Sequence, residues 1–284
     1  MRRGFTLLEI IIVVGIIALL FAIGVPVFNG VMAQSRSAVS KSNLRQWGVA
    51  NTNFLNDHDQ ILPWQGLLSA SSADVAEMQF NFDEDLWWAN ALSTYAGQPP
   101  YRETSATAVA QSSTVPLPPT KSIYCDPQAD NPTGPHKRGN LQFYFNYVYN
   151  SGLHDDITDI YAAATTNEEE VDLRLPMARL DQPARTVLMT EMRANEAEVP
   201  EDINKVTTYY QMRNLDRHIG TWDRFAGRHR GGGHILFVDG AVSWFDLHYI
   251  VTDDGGMIDP MGSGDWNKQN VIWNPLAAAE ASMN

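Results

Sequence analysis

Disulfide chemistry is nearly absent from this sequence, which has one cysteine, Cys125, in 284 residues. A single cysteine excludes an intramolecular disulfide, even in an oxidising compartment. A folded domain in this chain therefore has to be held together by its core, or by bound metal. The ten Tyr, eleven Phe and eight Trp predict that the core is rich in aromatic side chains.

Positive charge is also scarce. The chain has 20 Lys and Arg against 33 Asp and Glu, and its formal net charge is −13. Nucleic-acid binding depends on positive charge that neutralises phosphates, so we expect no nucleic-acid partner. An acidic surface of this kind attracts divalent cations instead.

Common signatures of hydrolytic enzymes are missing as well. The sequence contains no Gly-x-Ser-x-Gly nucleophile elbow, and Cys125 has no nucleophile motif around it. We therefore expect that the protein is not an enzyme.

Charged residues are absent from an apolar run at residues 10–28. At about 1.5 Å per residue, a helix of this length crosses most of a bilayer core roughly 30 Å thick. Arg2 and Arg3 precede the run, which keeps the amino end cytoplasmic by the positive-inside rule. The sequence thus predicts one membrane span, with the later residues facing outward.

The residues before this run differ from an ordinary secretory signal, in which a small-residue cleavage site follows the apolar stretch. Here Gly4 precedes the stretch, so cleavage there would leave the apolar segment on the mature protein. The pattern Arg-Arg-Gly-Phe-Thr-Leu-Leu-Glu resembles the processing site of type IV prepilins and type II secretion pseudopilins. The resemblance implies that a membrane peptidase cuts after Gly4 and methylates the new amino terminus at Phe5.

Glu9 is an acid at the edge of the apolar span, where an unpaired carboxylate is costly. A cationic amino terminus released at Phe5 could pair with it, from the same chain or from a neighbour. In the resembled family the neighbour's amino terminus does so, which sets the register between subunits. The alternative is that Glu9 only snorkels to the lipid headgroups.

Pro26 falls within the same helical pattern and predicts a kink or a local unwinding near the outer membrane face. The pattern continues beyond it, because residues 31–56 contain no Pro and one Gly. Apolar residues at helical spacing lie on one face of this second half, namely Leu44, Trp47, Phe54 and Leu55. We predict one helix of about 50 residues from Phe5, membrane-embedded first and amphipathic later.

The rest of the chain predicts a head that covers the amphipathic half of this helix. Its composition favours a short helix at 85–92, a surface loop at 97–120 and strands at 141–149 and 186–190. The expected fold class is α+β and pilin-like: a long N-terminal helix packed on a C-terminal antiparallel β-sheet head. The expected segments are a leader peptide at 1–4, a transmembrane helix at 5–28, its periplasmic continuation at 29–57 and a globular head at 58–284.

Strand-forming residues at 234–238 and 241–245 flank Asp239-Gly240, which predicts a β-hairpin with a tight two-residue turn. His229 lies ten residues before Asp239. This spacing resembles the H-X9-DG element of a large group of prepilin-like proteins, here spanning 229–246. The resemblance identifies a group of proteins, but it implies no binding or catalytic role for the element.

A metal site shared by His234 and Asp239 is not expected, because the two stand at opposite ends of one strand, about 16 Å apart. We expect His229 to fold back through Gly231-Gly232-Gly233 and to hydrogen-bond near the turn, in a structural role. Asp239 is expected to be a turn residue.

An acidic, Gly-rich loop near the C-terminus is the one candidate for a cofactor. Its oxygen ligands suit calcium, and some major pseudopilins carry calcium near the carboxy terminus. The spacing does not match an EF-hand, so a solvated loop without a cofactor is the first expectation and calcium the alternative. The candidate ligands are Asp253, Asp254, Asp259 and Asp265.

The one basic cluster in this acidic chain comprises Arg224, Arg228 and Arg230. Its charge contrast leads to the hypothesis that it pairs with acidic patches on a neighbouring subunit.

The resemblance implies a structural subunit of a type II secretion pseudopilus or a type IV pilus-like filament in the bacterial inner membrane, with a periplasmic head. Its expected partners are copies of itself, other pseudopilins, the prepilin peptidase/methyltransferase, an assembly-platform membrane protein and inner-membrane lipid. Pilins often staple their carboxy-terminal loop with a disulfide, so a single cysteine favours the pseudopilus. The alternatives are a membrane-tethered binding module that does not polymerise, and an enzyme that uses the region of His229 and Asp239.

Overall fold

One long helix dominates the structure, a computed structural model of the chain. Helix α1 runs from Leu7 to Asp57, which confirms the predicted helix of about 50 residues. Its first turn is closed by a capping box, in which the Thr6 hydroxyl accepts from the Glu9 backbone and the Glu9 carboxylate accepts from the Thr6 backbone. The structure describes residues 6–66, 84–103, 123–129, 145–154, 174–193, 219–220, 222, 225–252 and 267–276.

The two halves of α1 have different surroundings. Large apolar side chains between Leu7 and Met32 are exposed. From Ser40 onwards, every third or fourth side chain is buried, which is the pattern of a helix with one face on a core. The predicted amphipathic half is therefore confirmed, and its buried residues are Ser40, Asn43, Leu44, Trp47, Gly48, Ala50, Asn51, Phe54 and Leu55.

A five-stranded sheet in the order β3-β1-β2-β4-β5 covers this face of α1. Neighbouring strands are antiparallel except β3, a two-residue edge strand that pairs in parallel with β1. The architecture is thus α+β and pilin-like, as the sequence predicts. The strands are β1 (Tyr147–Asn150), β2 (Val187–Glu191), β3 (Ile219–Gly220), β4 (Gly232–Phe237) and β5 (Val242–Asp246).

The other described elements are two short α-helices, α2 at Trp88–Tyr95 and α3 at Leu247–Val251, and one 3-10 turn at Met177–Arg179. The predicted helix at 85–92 begins three residues later than expected. The reason is that the backbone of Trp64 accepts from Trp88 and donates to Leu86, both at 2.8 Å. This extended pairing holds the chain out of a helical conformation until Trp88.

The predicted strands are present with altered bounds. The strand predicted at 186–190 is β2, shifted by one residue. Of the strand predicted at 141–149, the part that the structure describes is β1, and residues 141–144 lie outside the described residues. Of the loop predicted at 97–120, residues 104–120 likewise lie outside the described residues.

The predicted hairpin is β4–β5, but its turn has three residues and the expected two-residue turn is wrong. The Phe237 N–H donates to Ala241 O and the Gly240 N–H donates to Phe237 O, both at 2.9 Å. Gly240 takes a φ of +87°, as a glycine closing a three-residue hairpin loop does. Asp239 is a turn residue as expected, and its Oδ1 accepts from the Ala241 N–H at 2.9 Å.

Aromatic side chains fill the space between α1, α2 and the sheet, which confirms the expected aromatic core. Trp47 meets the edges of Trp88 and Tyr124, with ring centroids 6.0 and 5.1 Å apart. A second, smaller apolar cluster includes Ile235 and Phe237 of β4 and the buried residues of α3. The buried aromatic residues of the first cluster are Trp47, Phe54, Trp87, Trp88, Tyr101, Tyr124, Phe145, Tyr147 and Tyr149.

Candidate functional site

The exposed first half of α1 is the first candidate for a functional surface. By length and composition α1 could cross a membrane, and none of its most apolar 18-residue stretch is buried in the protein. An apolar helix that the head leaves uncovered needs lipid or other apolar helices around it. This surface therefore suits a membrane, or a bundle of like helices.

Glu9 lies at the start of this surface and already has partners in its own chain. Its Oε2 accepts from the Thr6 N–H at 2.7 Å and from the Thr6 hydroxyl at 2.8 Å. The pairing with an amino terminus at Phe5 stays a prediction, because Gly4 and Phe5 lie outside the described residues.

Pro26 is placed within α1, and the helix continues on both sides of it. The kink or local unwinding expected at Pro26 stays a prediction.

The second candidate is a group of five buried ionisable side chains where β2 and β4 meet α1. We call it the carboxylate–histidine cluster. Glu191 ends β2, His234 lies in β4, and the other three come from segments next to the sheet. The members are Asp126, Glu191, Arg228, His229 and His234.

Two acids and two imidazoles touch within this cluster. Glu191 Oε1 lies 2.8 Å from His234 Nδ1 and 3.3 Å from His229 Nε2. The same His229 nitrogen lies 2.9 Å from Asp126 Oδ2. The exposed fractions of Glu191, His229 and His234 are 0%, 2% and 4%, so the contacts are shielded from water.

A tight turn before β4 brings His229 beside His234. The His229 N–H donates to Gly232 O at 2.8 Å, and the two residues between them, Arg230 and Gly231, have φ of +59° and +80°. The expectation that His229 hydrogen-bonds near the Asp239 turn is wrong, because this reversal places its ring at the start of β4. Asp239 lies at the far end of β4, beyond Phe237.

A glycine is required at position 233 for the cluster to close. A Cβ there would lie 2.5 Å from Ala226 O and 2.8 Å from Glu191 Oε2. Both distances are shorter than such contacts allow, so a side chain at this position would displace the carboxylate.

Hydrogen bonds fix the orientation of both imidazole rings. His229 Nδ1 lies 3.0 Å from Gln128 Oε1, and His234 Nε2 lies 3.4 Å from the Ser37 hydroxyl of α1. An amide oxygen only accepts hydrogen bonds, so His229 carries a proton on Nδ1 and presents Nε2 to the carboxylates.

The Glu191 carboxylate is held on both oxygens. Its Oε2 accepts from the His234 N–H at 2.9 Å, and its Oε1 accepts from the Ser40 hydroxyl of α1. Ser40 in turn lies 2.9 Å from the Tyr147 hydroxyl of β1. The cluster therefore connects the long helix to the sheet through polar contacts, beside the aromatic core.

Arg228 belongs to the interior and not to a basic surface patch. Its Nη1 donates to Asp126 Oδ2 at 2.9 Å, and its Nη2 donates to Met192 O. The hypothesis of a basic docking cluster is wrong for Arg228, since its charge is already paired inside the head. Arg230 is exposed, and Arg224 lies outside the described residues.

The electrostatics of the cluster favour charged groups despite their burial. Burial raises the pKa of Glu191, but hydrogen bonds and charge from His229 and His234 outweigh it and hold that pKa well below its usual range. Burial also raises the pKa of Asp126, and Arg228 and His229 bring it below its usual value. Burial lowers the pKa of His229, and the two carboxylates raise it to about 9.

Sequence reasoning missed Asp126, Glu191 and Ser40 as members of a site. Asp126 separates Cys125 from Pro127, and Glu191 directly follows the predicted strand at 186–190. An acid that continues an apolar, buried strand was a signal that could have identified Glu191. Ser40 had no such signal, because its partner Glu191 is 151 residues away in the chain.

The candidate calcium loop cannot be compared with the structure. Asp253, Asp254, Asp259 and Asp265 all lie outside the described residues. Calcium binding by this loop therefore stays a prediction.

The chain is similar to one curated protein, the type IV major pilin protein PilA of Myxococcus xanthus (strain DK1622). The two are 41% identical over 59 residues, which cover 21% of this chain and 27% of the relative. The match thus spans about a quarter of the relative's length. No family model matches the chain, and no solved structure matches it. The similarity and the long N-terminal helix together support a pilin-like protein.

Proposed function

We propose that this protein is a structural subunit that is stored in the inner membrane and assembled into a filament through the first half of α1. The main support for this proposal is the difference between the two halves of α1. The head covers the second half, whereas the apolar first half is exposed. Lipid would surround the apolar half before assembly, and the same half of neighbouring subunits after it. The partial similarity to a type IV major pilin supports this role.

The proposal includes processing by a prepilin peptidase between Gly4 and Phe5, followed by methylation of the new terminus. The support is the Arg-Arg-Gly-Phe-Thr-Leu-Leu-Glu pattern, in which Glu9 lies on the first turn of α1, close to that terminus. A cationic amine from a neighbouring chain would meet Glu9 at the start of its helix. Burying this ion pair in apolar surroundings would fix the axial register between subunits.

Within this class we propose a subunit of a type II secretion pseudopilus, carrying the H-X9-DG element at 229–246. The support is the single cysteine, which excludes an intramolecular disulfide staple in the head. Its partners would be other pseudopilins, the prepilin peptidase/methyltransferase and an assembly-platform protein. Its role is structural and not enzymatic, with the cytoplasm on the side of residues 1–4 and the head in the periplasm.

The proposal predicts that Glu9→Ala separates membrane insertion from assembly. The apolar run is unchanged, so the variant should be processed and found in the membrane fraction at wild-type level. Filaments should be lost, since the partner of the neighbour's amino terminus is missing. Cell fractionation, mass spectrometry of the amino terminus and electron microscopy of cells with the assembly ATPase measure the three steps.

Asp181→Ala is the matched control, because it removes an exposed acid from the head. It should leave insertion, processing and filaments unchanged. Normal filaments from Glu9→Ala would contradict the proposed pairing. Wild-type protein that is processed but stays monomeric in such cells would favour a tethered binding module instead.

A further inference from the structure

Three atoms of metal-ligand type converge inside the carboxylate–histidine cluster. Glu191, His229 and His234 each offer one such atom, and all three lie within 4.8 Å of one another. We propose that these three residues bind one zinc ion, which holds β2, β4 and the turn before β4 together inside the head. The proposal does not depend on filament assembly, since all its ligands belong to one head.

The donor set suits zinc better than calcium or magnesium. Two imidazole nitrogens and one carboxylate oxygen are typical zinc ligands, whereas calcium and magnesium prefer oxygen alone. Ligands about 2.1 Å from a tetrahedral zinc lie about 3.4 Å from each other. Glu191 Oε1 lies 3.3 Å from His229 Nε2 and 2.8 Å from His234 Nδ1, so small side-chain shifts open the space.

The surrounding contacts hold the ligands in the orientation that metal binding requires. Gln128 accepts from Nδ1 of His229, so Nε2 is the ring nitrogen that faces Glu191 and that a metal would bind in place of a proton. His234 has its Nε2 on the Ser37 hydroxyl and its Nδ1 on Glu191. Outer partners of this kind fix ring orientation and tautomer in known metal sites.

Asp126 places one further carboxylate oxygen next to the site. Its Oδ2 lies 2.9 Å from His229 Nε2 and is also paired with Arg228. Two buried carboxylates, Glu191 and Asp126, face one buried guanidinium in this cluster. A divalent cation held by Glu191 and the two imidazoles places positive charge beside these carboxylates, which lowers the cost of burying them.

Burial indicates a structural role for this zinc. The ligand side chains are shielded from water, and a catalytic zinc keeps an open position for water or substrate. The residues that hold the ligands come from α1, β2, β4 and the segment around Asp126. An ion here would crosslink β2, β4 and the turn before β4, in a chain whose single cysteine excludes an intramolecular disulfide.

The test uses the full-length chain, purified without a polyhistidine tag in detergent and stripped with a chelator. Zinc or cobalt is added back, and bound metal, melting temperature and the cobalt absorption spectrum are measured. We expect one zinc per chain, a higher melting temperature, and cobalt bands typical of a four-coordinate site with nitrogen and oxygen ligands.

The variants are chosen to keep the hydrogen bonds and remove the metal ligands. His229→Gln and His234→Asn place an amide near the position of Nε2 and Nδ1 respectively. Each should melt cooperatively without metal, bind zinc at least 100-fold more weakly, and show no rise in melting temperature with zinc. His248→Ala removes an exposed histidine and should behave as wild type.

Two results overturn the proposal. If zinc binds equally well to the wild type and to both variants, its site lies elsewhere, on the surface or on the acidic loop at 253–265. A wild-type chain that takes up no zinc and does not shift its melting temperature at micromolar zinc has an ion-pair network only. The cobalt spectrum of the wild type decides the question even if both variants fail to fold.

Discussion

At the scale of single residues, the turn before β4 shows how local strain supports the cluster. A type I′ turn needs positive φ at both central residues, and here they are Arg230 and Gly231. Glycine adopts this conformation freely, but a residue with a Cβ is strained by about 1 kcal/mol. The chain tolerates the strain at Arg230 because the reversal brings the His229 ring against Asp126 and Glu191.

Arg230→Asn should therefore stabilise the head. Asn-Gly is the favoured pair for a type I′ turn, so we expect the free energy of unfolding to rise by about 0.5–1 kcal/mol. Urea denaturation of the full-length chain in detergent, followed by tryptophan fluorescence, measures this change.

The control for this prediction is Arg45→Asn, an exposed position in the regular part of α1. Asn is the poorer helix former, so this variant should lose about 0.5 kcal/mol. A loss of stability in Arg230→Asn as well would show that the Arg230 side chain matters more than its backbone strain.

At the scale of elements, the contact of α1 with the hairpin depends on the single glycine of its second half. A Cβ at Gly48 would lie 3.0 Å from Leu236 Cδ1 of β4 and 3.4 Å from Gly240 Cα of the hairpin turn. The absence of a side chain lets the helix lie directly on the hairpin. The two glycines, 48 and 240, thus face each other across the helix–sheet contact.

Gly48→Leu should weaken this contact. A large side chain has to push α1 away from the hairpin, and overpacking of this kind costs about 1–3 kcal/mol of unfolding free energy. Thermal melting of the full-length chain and near-ultraviolet circular dichroism of its buried Trp residues measure the loss.

Gly30→Leu in the same helix is the matched control, since nothing lies within 4 Å of a Cβ at that position. It should leave the melting temperature unchanged or raise it slightly, because leucine is the better helix former. Equal destabilisation by both substitutions would locate the effect in the helix itself and not in its contact with β4.

At the scale of the whole molecule, the second half of α1 packs against the head, whereas the first half is exposed and apolar. The buried face of α1 begins at Ser40, and the large apolar residues before Met32 contribute nothing to the described core. The stability of the head should therefore not depend on the apolar first half of α1.

Removal of residues 1–28 tests this independence. The shortened chain should be soluble without detergent, and its near-ultraviolet circular dichroism should match that of the full-length chain. Its melting temperature should stay within a few degrees of the full-length value in detergent. Aggregation of the shortened chain, or loss of its near-ultraviolet signal, would mean that the first half of α1 also supports the head.

Local signals account for the parts that the sequence predicted well. The long helix, the strand at 186–190 and the β4–β5 hairpin each follow from residues close together in the chain, through hydrophobic period, β-branched composition or Asp239-Gly240. Their bounds were less certain because distant partners set them. Trp64 delays the start of α2, and Ala241 pairs with Phe237 and widens the hairpin turn.

The sequence by itself determined the apolar first half of α1, the Arg-Arg-Gly-Phe-Thr-Leu-Leu-Glu pattern before it and the absence of an intramolecular disulfide, because these depend on composition and order alone. Tertiary structure alone decided the carboxylate–histidine cluster. Glu191 meets Ser40 across 151 residues, and Asp126 meets His229 across 103. No local pattern specifies such pairs, because they form only after the core has fixed the strands against the helix.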